Sequence, residues 1–316
     1  MRALRSIRAL SVATVPLMLS VLVTATPAHA AYPGDNGRIA FMSTLSGSLQ
    51  IWSMRSDGTV RKRLTDFPPS FVADPDTSPD GTRIVFDADV TGDQELYTMN
   101  ADGTGVVQVT HDPNAADFTP RYSPDGTTIV FTRCTSNCNL YVVNADGSGG
   151  MTKLTTDRSD ELNGSYSPDG SKIAFDSNRK GLESAIWVMD ADGANLHRLT
   201  SPSLEGFWPD WSPDGQRILF SDHCCQPHTS VWVMNANGSG LQELITPPPE
   251  HNDAFAVFSP KGNKILFASD QNYIGTPGQD LYTMDADGTG VTQITTNLIP
   301  GGCGDCFPTF DWGAKP

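Results

Sequence analysis

Outside its first thirty residues, the 316-residue chain has no apolar run approaching the eighteen needed to cross a membrane as a helix. Basic residues are scarce, with 21 Lys and Arg against 36 Asp and Glu for a net charge of −15, which argues against a nucleic-acid partner. Charged residues are only 18% of the chain, and the Ala/Glu/Lys/Leu richness of a long coiled coil is missing. No G-x-S-x-G, H-E-x-x-H or Gly-rich phosphate loop occurs, so the common nucleophile, zinc-protease and nucleotide motifs are excluded. Histidine is rare too, at six residues.

The chain does have 29 Gly and 23 Pro, residues that interrupt helices. Its hydrophobic fraction of 38% is nevertheless too high for a wholly disordered chain. The first thirty residues read as a secretory signal peptide. Arg2, Arg5 and Arg8 form a basic start, Leu10 to Val23 is mostly apolar, and Ala28-His29-Ala30 is a small-x-small cleavage site. Removing it takes three arginines and no acids, so the mature charge is −18. A periplasmic or secreted monomer without a membrane span is expected.

Residues 31–316 are an internal repeat. Ser-Pro-Asp-Gly recurs at Ser78, Ser123, Ser167 and Ser212, with Ser-Pro-Lys-Gly at Ser259. Each is followed by an Ile-x-Phe run, as in Ile84-Val85-Phe86 and Ile218-Leu219-Phe220. An aromatic segment follows, then an Asp/Asn-Gly turn and a short run ending in Thr. Pro pre-sets the second turn position and Gly tolerates the left-handed one, while the runs between turns carry the branched and aromatic residues that suit pleated strands. A spacing near 45 residues with four strands A to D is the signature of a propeller blade. The chain opens on a strand B, Ile39-Ala40-Phe41, and ends on Phe307-Pro308-Thr309-Phe310, which resembles a strand A. The expected fold is therefore all-β: a six-bladed β-propeller of four-stranded antiparallel blades, its C-terminal strand completing the first blade.

The copies Trp211–Phe220 and Leu96–Gly103 resemble the repeats of the TolB-type, WD40-like β-propeller family. The resemblance spans nearly all of the mature chain but covers only the propeller of that family, since the first blade starts shortly after the signal sequence. It implies a cell-envelope setting and a channel mouth that receives a peptide of a protein partner.

In such a blade the A–B and C–D turns share one face, and the B–C and D–A loops share the other. The D–A loops vary most and rim the channel. Each has an acid near strand A: Asp74, Asp117, Glu161, Glu205, Asp253 and Asp305. Aromatics lie beside them: Phe71, Phe118, Phe207, Trp208, Phe255 and Phe307. Together they read as an acidic, partly apolar funnel that binds a protein or peptide. No cofactor is called for, although crowded carboxylates favour a cation and a divalent one fits the mouth. The competing reading leaves the acids as solvated loop residues and the aromatics as core. A second alternative is a polysaccharide- or peptide-acting lyase or hydrolase with His111 or His251 at the mouth.

All six cysteines lie in the mature chain. Cys134 with Cys138 and Cys303 with Cys306 are candidates for local disulfides, and the adjacent Cys224 and Cys225 for a vicinal bridge or pairing elsewhere. His223, Cys224, Cys225 and His228 could hold a metal, but an oxidising compartment favours disulfides first. Asp190-Ala191-Asp192-Gly193 and Asp285-Ala286-Asp287-Gly288 lack the later ligands of a calcium loop and read as β-turns.

Overall fold

The fold comes from a computed structural model that describes residues 34–179, 183–222, 228–247, 251–272, 278–298 and 309–316. The signal segment, Cys224, Cys225, Cys303, Cys306, Asp305 and Phe307 lie outside the described residues.

The turn chemistry sorts the described residues into twenty-four strands. Blade 1 holds β1 (Asn36–Ser43), β2 (Gln50–Arg55) and β3 (Lys62–Arg63). Blade 2 holds β4 (Val72–Thr77), β5 (Arg83–Ala88), β6 (Glu95–Asn100) and β7 (Val107–Gln108). Blade 3 holds β8 (Ala116–Tyr122), β9 (Thr128–Cys134), β10 (Cys138–Asn144) and β11 (Thr152–Lys153). Blade 4 holds β12 (Glu161–Tyr166), β13 (Lys172–Ser177), β14 (Ala185–Asp190) and β15 (His197–Arg198). Blade 5 holds β16 (Gly206–Trp211), β17 (Arg217–Asp222), β18 (Val231–Asn235) and β19 (Gln242–Ile245). Blade 6 holds β20 (Asp253–Phe258), β21 (Lys264–Ser269), β22 (Asp280–Asp285) and β23 (Thr292–Gln293). The last strand, β24 (Phe310–Ala314), pairs antiparallel with β1, so blade 1 is built from both ends of the chain. Each sheet is four-stranded and antiparallel, and the expected six-bladed propeller is what forms.

The repeated residues each have a physical task. In the first Ser-Pro-Asp-Gly turn, the Gly81 N–H donates to the Ser78 carbonyl at 2.8 Å with Gly81 at φ +69. The Ser78 hydroxyl and the Thr82 N–H both donate to the Asp80 carboxylate. The phenylalanine of each Ile-x-Phe run is fully buried: Phe41, Phe86, Phe131, Phe175, Phe220 and Phe267. In five blades the threonine that ends strand D accepts the N–H of the residue opening the apolar part of strand C. Thr65 does this for Ile51, Thr110 for Leu96, Thr155 for Leu140, Thr200 for Ile186 and Thr295 for Leu281.

No blade buries its apolar face alone. One apolar cluster spans each boundary between neighbouring blades, for example Val85 and Leu96 of blade 2 with Tyr122 and Ile129 of blade 3. The cluster that closes the ring joins Ile39, Met54, Phe310 and Trp312 of blade 1 to Val257, Leu266 and Leu281 of blade 6. Among the described residues no helix is long and apolar enough to cross a membrane. Cys134 and Cys138 form a disulfide across the β9–β10 hairpin.

Candidate functional site: the central channel

The innermost strands β4, β8, β12, β16 and β20 share one irregularity. Each has a β-bulge, at Ala73/Asp76, Phe118/Arg121, Leu162/Ser165, Phe207/Asp210 and Ala254/Val257. At the bulge one residue is left-handed: Asp74, Thr119, Asn163, Trp208 and Phe255, with φ between +49 and +58. Each of their amides reaches back to the preceding blade. Asp74 N–H donates to the Thr309 hydroxyl (2.8 Å), Asn163 to Thr132 (3.2 Å), Trp208 to the Asp176 carboxylate (3.0 Å) and Phe255 to Ser221 (3.0 Å). Thr119 makes a longer contact to Asp87 at 3.4 Å. The bulge thus staples each of blades 2 to 6 to the blade before it.

Two storeys result. Nearer the loop face is the bulge layer, where Trp208 meets Phe255 edge-on with ring centroids 4.7 Å apart, and Phe207 meets Phe255 at 5.8 Å. Asp74 lies in the same layer, half-buried, and shares a hydrogen bond with the buried Asp87. Burial raises the affinity of both carboxyls for a proton, and repulsion from Asp74 raises that of Asp87 further. Gln94 also donates to Asp87.

Nearer the turn face, residues from all six blades close round a cavity of about 30 Å³: Asp76, Arg121, Ser165, Asp210, Val257 and Asp311. Arg121 contacts the Asp76 carboxylate at 3.3 Å and lies 5.9 Å from the Trp208 ring centroid. Burial weakens its hold on its proton, but Asp76, Asp311, Asp210 and Asp74 together outweigh that and raise its pKa. Burial, with repulsion from Asp311, pushes Asp76 up to about 8. Burial pushes Asp210 up to about 7. The channel is therefore nearly filled on its turn side.

The residues singled out in the sequence distribute as follows. Phe207, Trp208 and Phe255 meet at the bulge layer, and Asp74 occupies the equivalent bulge position of blade 2. Asp117 and Glu161 are fully buried at the loop end of their strands, each on an arginine: Asp117 accepts Arg133 Nε at 2.7 Å and Nη2 at 2.6 Å, and Glu161 accepts Arg179 Nε at 2.6 Å. Asp253 begins β20, is buried, and is pushed up to about 6 by that burial. Glu205 caps the 3₁₀ turn Pro202–Leu204 in a left-handed conformation. Phe118 is half-buried on β8, and Phe71 is exposed in its loop. His111 is exposed, whereas His251 Nδ1 sits 3.3 Å from Asp270. Among the described residues no three His, Cys, Asp or Glu side chains form a metal site.

The turn-side storey was not picked out in the sequence. Its signal is the residue two before each turn serine, namely Asp76, Arg121, Ser165, Asp210 and Val257, together with Asp311 two before Gly313.

The model of the family described as TolB beta propeller domain matches residues 20–137 and 114–224. No curated protein matches the sequence. Among solved structures, TolB from Acinetobacter baumannii is 20% identical with a TM-score of 0.72, covering 88% of this chain and 68% of that one. A protein assigned as TolB from Agrobacterium tumefaciens is 22% identical with a TM-score of 0.63, covering 88% of this chain and 98% of that one. An oligogalacturonate lyase in complex with manganese shares the fold at 15% identity and a TM-score of 0.52, covering 83% of this chain and 74% of that one.

Proposed function

Because the chain belongs to the TolB β-propeller family, we propose that it is an exported binding scaffold that takes a segment of a protein or peptide into the loop-side mouth of its channel. The observation that carries this reading is the conformation of Trp208 and Phe255. Two bulky aromatics occupy left-handed backbone, at φ +57 and +58, which disfavours such residues by about 1–2 kcal/mol each. Both remain half-buried rather than sealed in the core. Aromatic rings on a rigid frame above a closed floor give an inserted apolar side chain its contact area, and aromatics are what binding surfaces concentrate. The half-buried Asp74, at the equivalent bulge position of blade 2, adds a polar anchor whose carboxylate suits a divalent cation as co-ligand.

The test places a photoreactive benzoylphenylalanine at Phe255 and, as control, at the exposed Val107 on the outer edge of blade 2. Discrete adducts with envelope or culture proteins are expected from position 255 only, and should disappear with Trp208→Ala. Identical adduct patterns from both positions would overturn the reading. The lyase or hydrolase alternative would place its base at His251, oriented by Asp270. Turnover of a polysaccharide or peptide that vanishes in His251→Ala would favour it.

A further inference from the structure

The turn-side storey of the channel sets the strand that closes the ring against an imbalance of charge. Asp76, Asp210 and Asp311 face a single cation, Arg121, in a space of about 30 Å³. None of the three carboxylates is free to turn away. Asp76 accepts the Tyr122 N–H at 2.8 Å, Asp210 the Phe258 N–H at 2.9 Å and Asp311 the Thr77 N–H at 3.0 Å, each from the next blade round the ring. Leaving any of these amides unpaired in a buried site costs a desolvation penalty, so the like charges are held in place by the fold itself. Asp311 belongs to β24, and its bond to Thr77 is one of two polar ties to blade 2 among the described residues of β24 and the residue before it. The other is the Thr309 hydroxyl that accepts the Asp74 amide.

We propose that Asp76, Asp311 and Arg121 form a proton-operated latch on the closing strand, which holds β24 against blade 2 while the carboxyl pair keeps a proton and lets it loosen when the proton is lost. The geometry carries the direction. Arg121, in direct contact with Asp76, supplies one positive charge to the two facing carboxyls, so one of the pair is left to be balanced by a proton. With both ionised, the remaining repulsion acts across the seam between β24 and β4.

The charges bearing on the latch are few. Asp76 feels Asp311 and Arg121, and Asp311 feels Arg121. Arg121 also feels Asp210 and Asp74, the latter paired with Asp87. The other acids on the packed strands, Asp117 on β8 and Asp253 on β20, lie at the loop end, where Asp117 is held by Arg133 and Asp253 by Ser269. On β1, Arg38 is bonded to Ser53 and Val60, and on β5, Arg83 to Thr98. Burial raises Asp76 and Asp311 alike. A raised folded-state pKa stabilises below the unfolded value and loses that stabilisation as pH rises through the folded value, here about 8 for Asp76.

Amide hydrogen exchange on the full mature protein tests the latch. The readout is the exchange rate of the peptide covering β24 divided by that of β13 in the opposite half of the ring, which removes the intrinsic pH dependence of exchange. Between pH 7 and 9 this ratio should climb in the wild type, by up to about tenfold per pH unit above pH 8, the limit for one proton. In Asp76→Asn, which keeps an acceptor for Tyr122 but no charge, the ratio should stay flat. Asp311→Asn should flatten it equally and serves if the first variant does not fold. A flat ratio in the wild type, or the same climb in either variant, overturns the latch.

Discussion

Val60 shows how a single residue can oppose its own blade. It sits at φ +53 just after the Asp57-Gly58 turn, where the corresponding positions in other blades are Gly105, Gly149, Asn195, Gly240 and Gly290. A β-branched residue there bears a left-handed cost of about 1–2 kcal/mol, against the roughly 0.5–1 kcal/mol of backbone entropy that glycine forfeits. Val60 is 54% exposed, so little burial offsets the strain, and its carbonyl bond from Arg38 survives any substitution. Val60→Gly is therefore expected to raise the melting temperature by about 2 °C, as read by calorimetry. The opposite sign is expected at Arg133. Its removal strands Asp117, a fully buried carboxylate, and Arg133→Ala should cost about 3 kcal/mol or more in denaturant unfolding. Pairing that change with Asp117→Asn should recover much of the loss, because the penalty comes from the orphaned charge.

At the scale of the strand, much of the molecule is legible in the repeat. Ser-Pro-Asp-Gly, Ile-x-Phe and the terminal Thr each have a local task that the structure displays, and the pairing of β24 with β1 follows from the likeness of Phe307-Pro308-Thr309-Phe310 to a strand A. The interior of the channel is far less legible. Alternation along strand A fails at the bulge, where one residue is inserted and the facing side chains change phase. Acids near the loops, such as Asp117 and Glu161, look like rim residues until the arginines that cover them are seen. These come from β9 and from just beyond β13, sixteen and eighteen residues further along the chain. Conversely Asp76, Asp210 and Asp311 lie close to regular turns and carry no local mark of converging on the axis. The closing strand makes the element-scale prediction. Deleting residues 309–316 removes Phe310 and Trp312 from the cluster that joins blades 1 and 6 and bares the edge of β1. Two buried aromatics amount to roughly 4 kcal/mol or more of apolar burial. Loss of a cooperative thermal transition is expected, with its return on adding a synthetic peptide spanning 309–316. An unaltered transition in the deletion would count against closure of the ring by this strand.

For the whole molecule, the aspartates fall into two populations whose shifts run in opposite directions. Those in the exposed turns, including Asp57, Asp102, Asp146 and Asp287, have lowered pKa values because the following Ser or Thr hydrogen-bonds to them. A lowered folded-state pKa gives stability that is present above the unfolded value and is lost as pH falls through it, so these groups act below about pH 4. The channel aspartates shift upwards through burial, with Asp176 and Asp210 at about 7 and Asp76 at about 8. Their contribution is present in acid and is lost as pH rises through 7 to 8. The two populations together set a plateau of stability between about pH 4 and 7, narrower on its alkaline side than surface titration alone would give. Midpoints of urea unfolding measured from pH 3 to pH 9 should fall at both ends, and Asp176→Asn should reduce the alkaline fall while leaving the acid one in place. The Asn carboxamide can still accept the Trp208 N–H that Asp176 now binds, so the bulge of blade 5 is kept while the charge is removed. An alkaline limb of the same depth in that variant would mean that buried channel carboxyls do not govern the stability of the ring above neutrality.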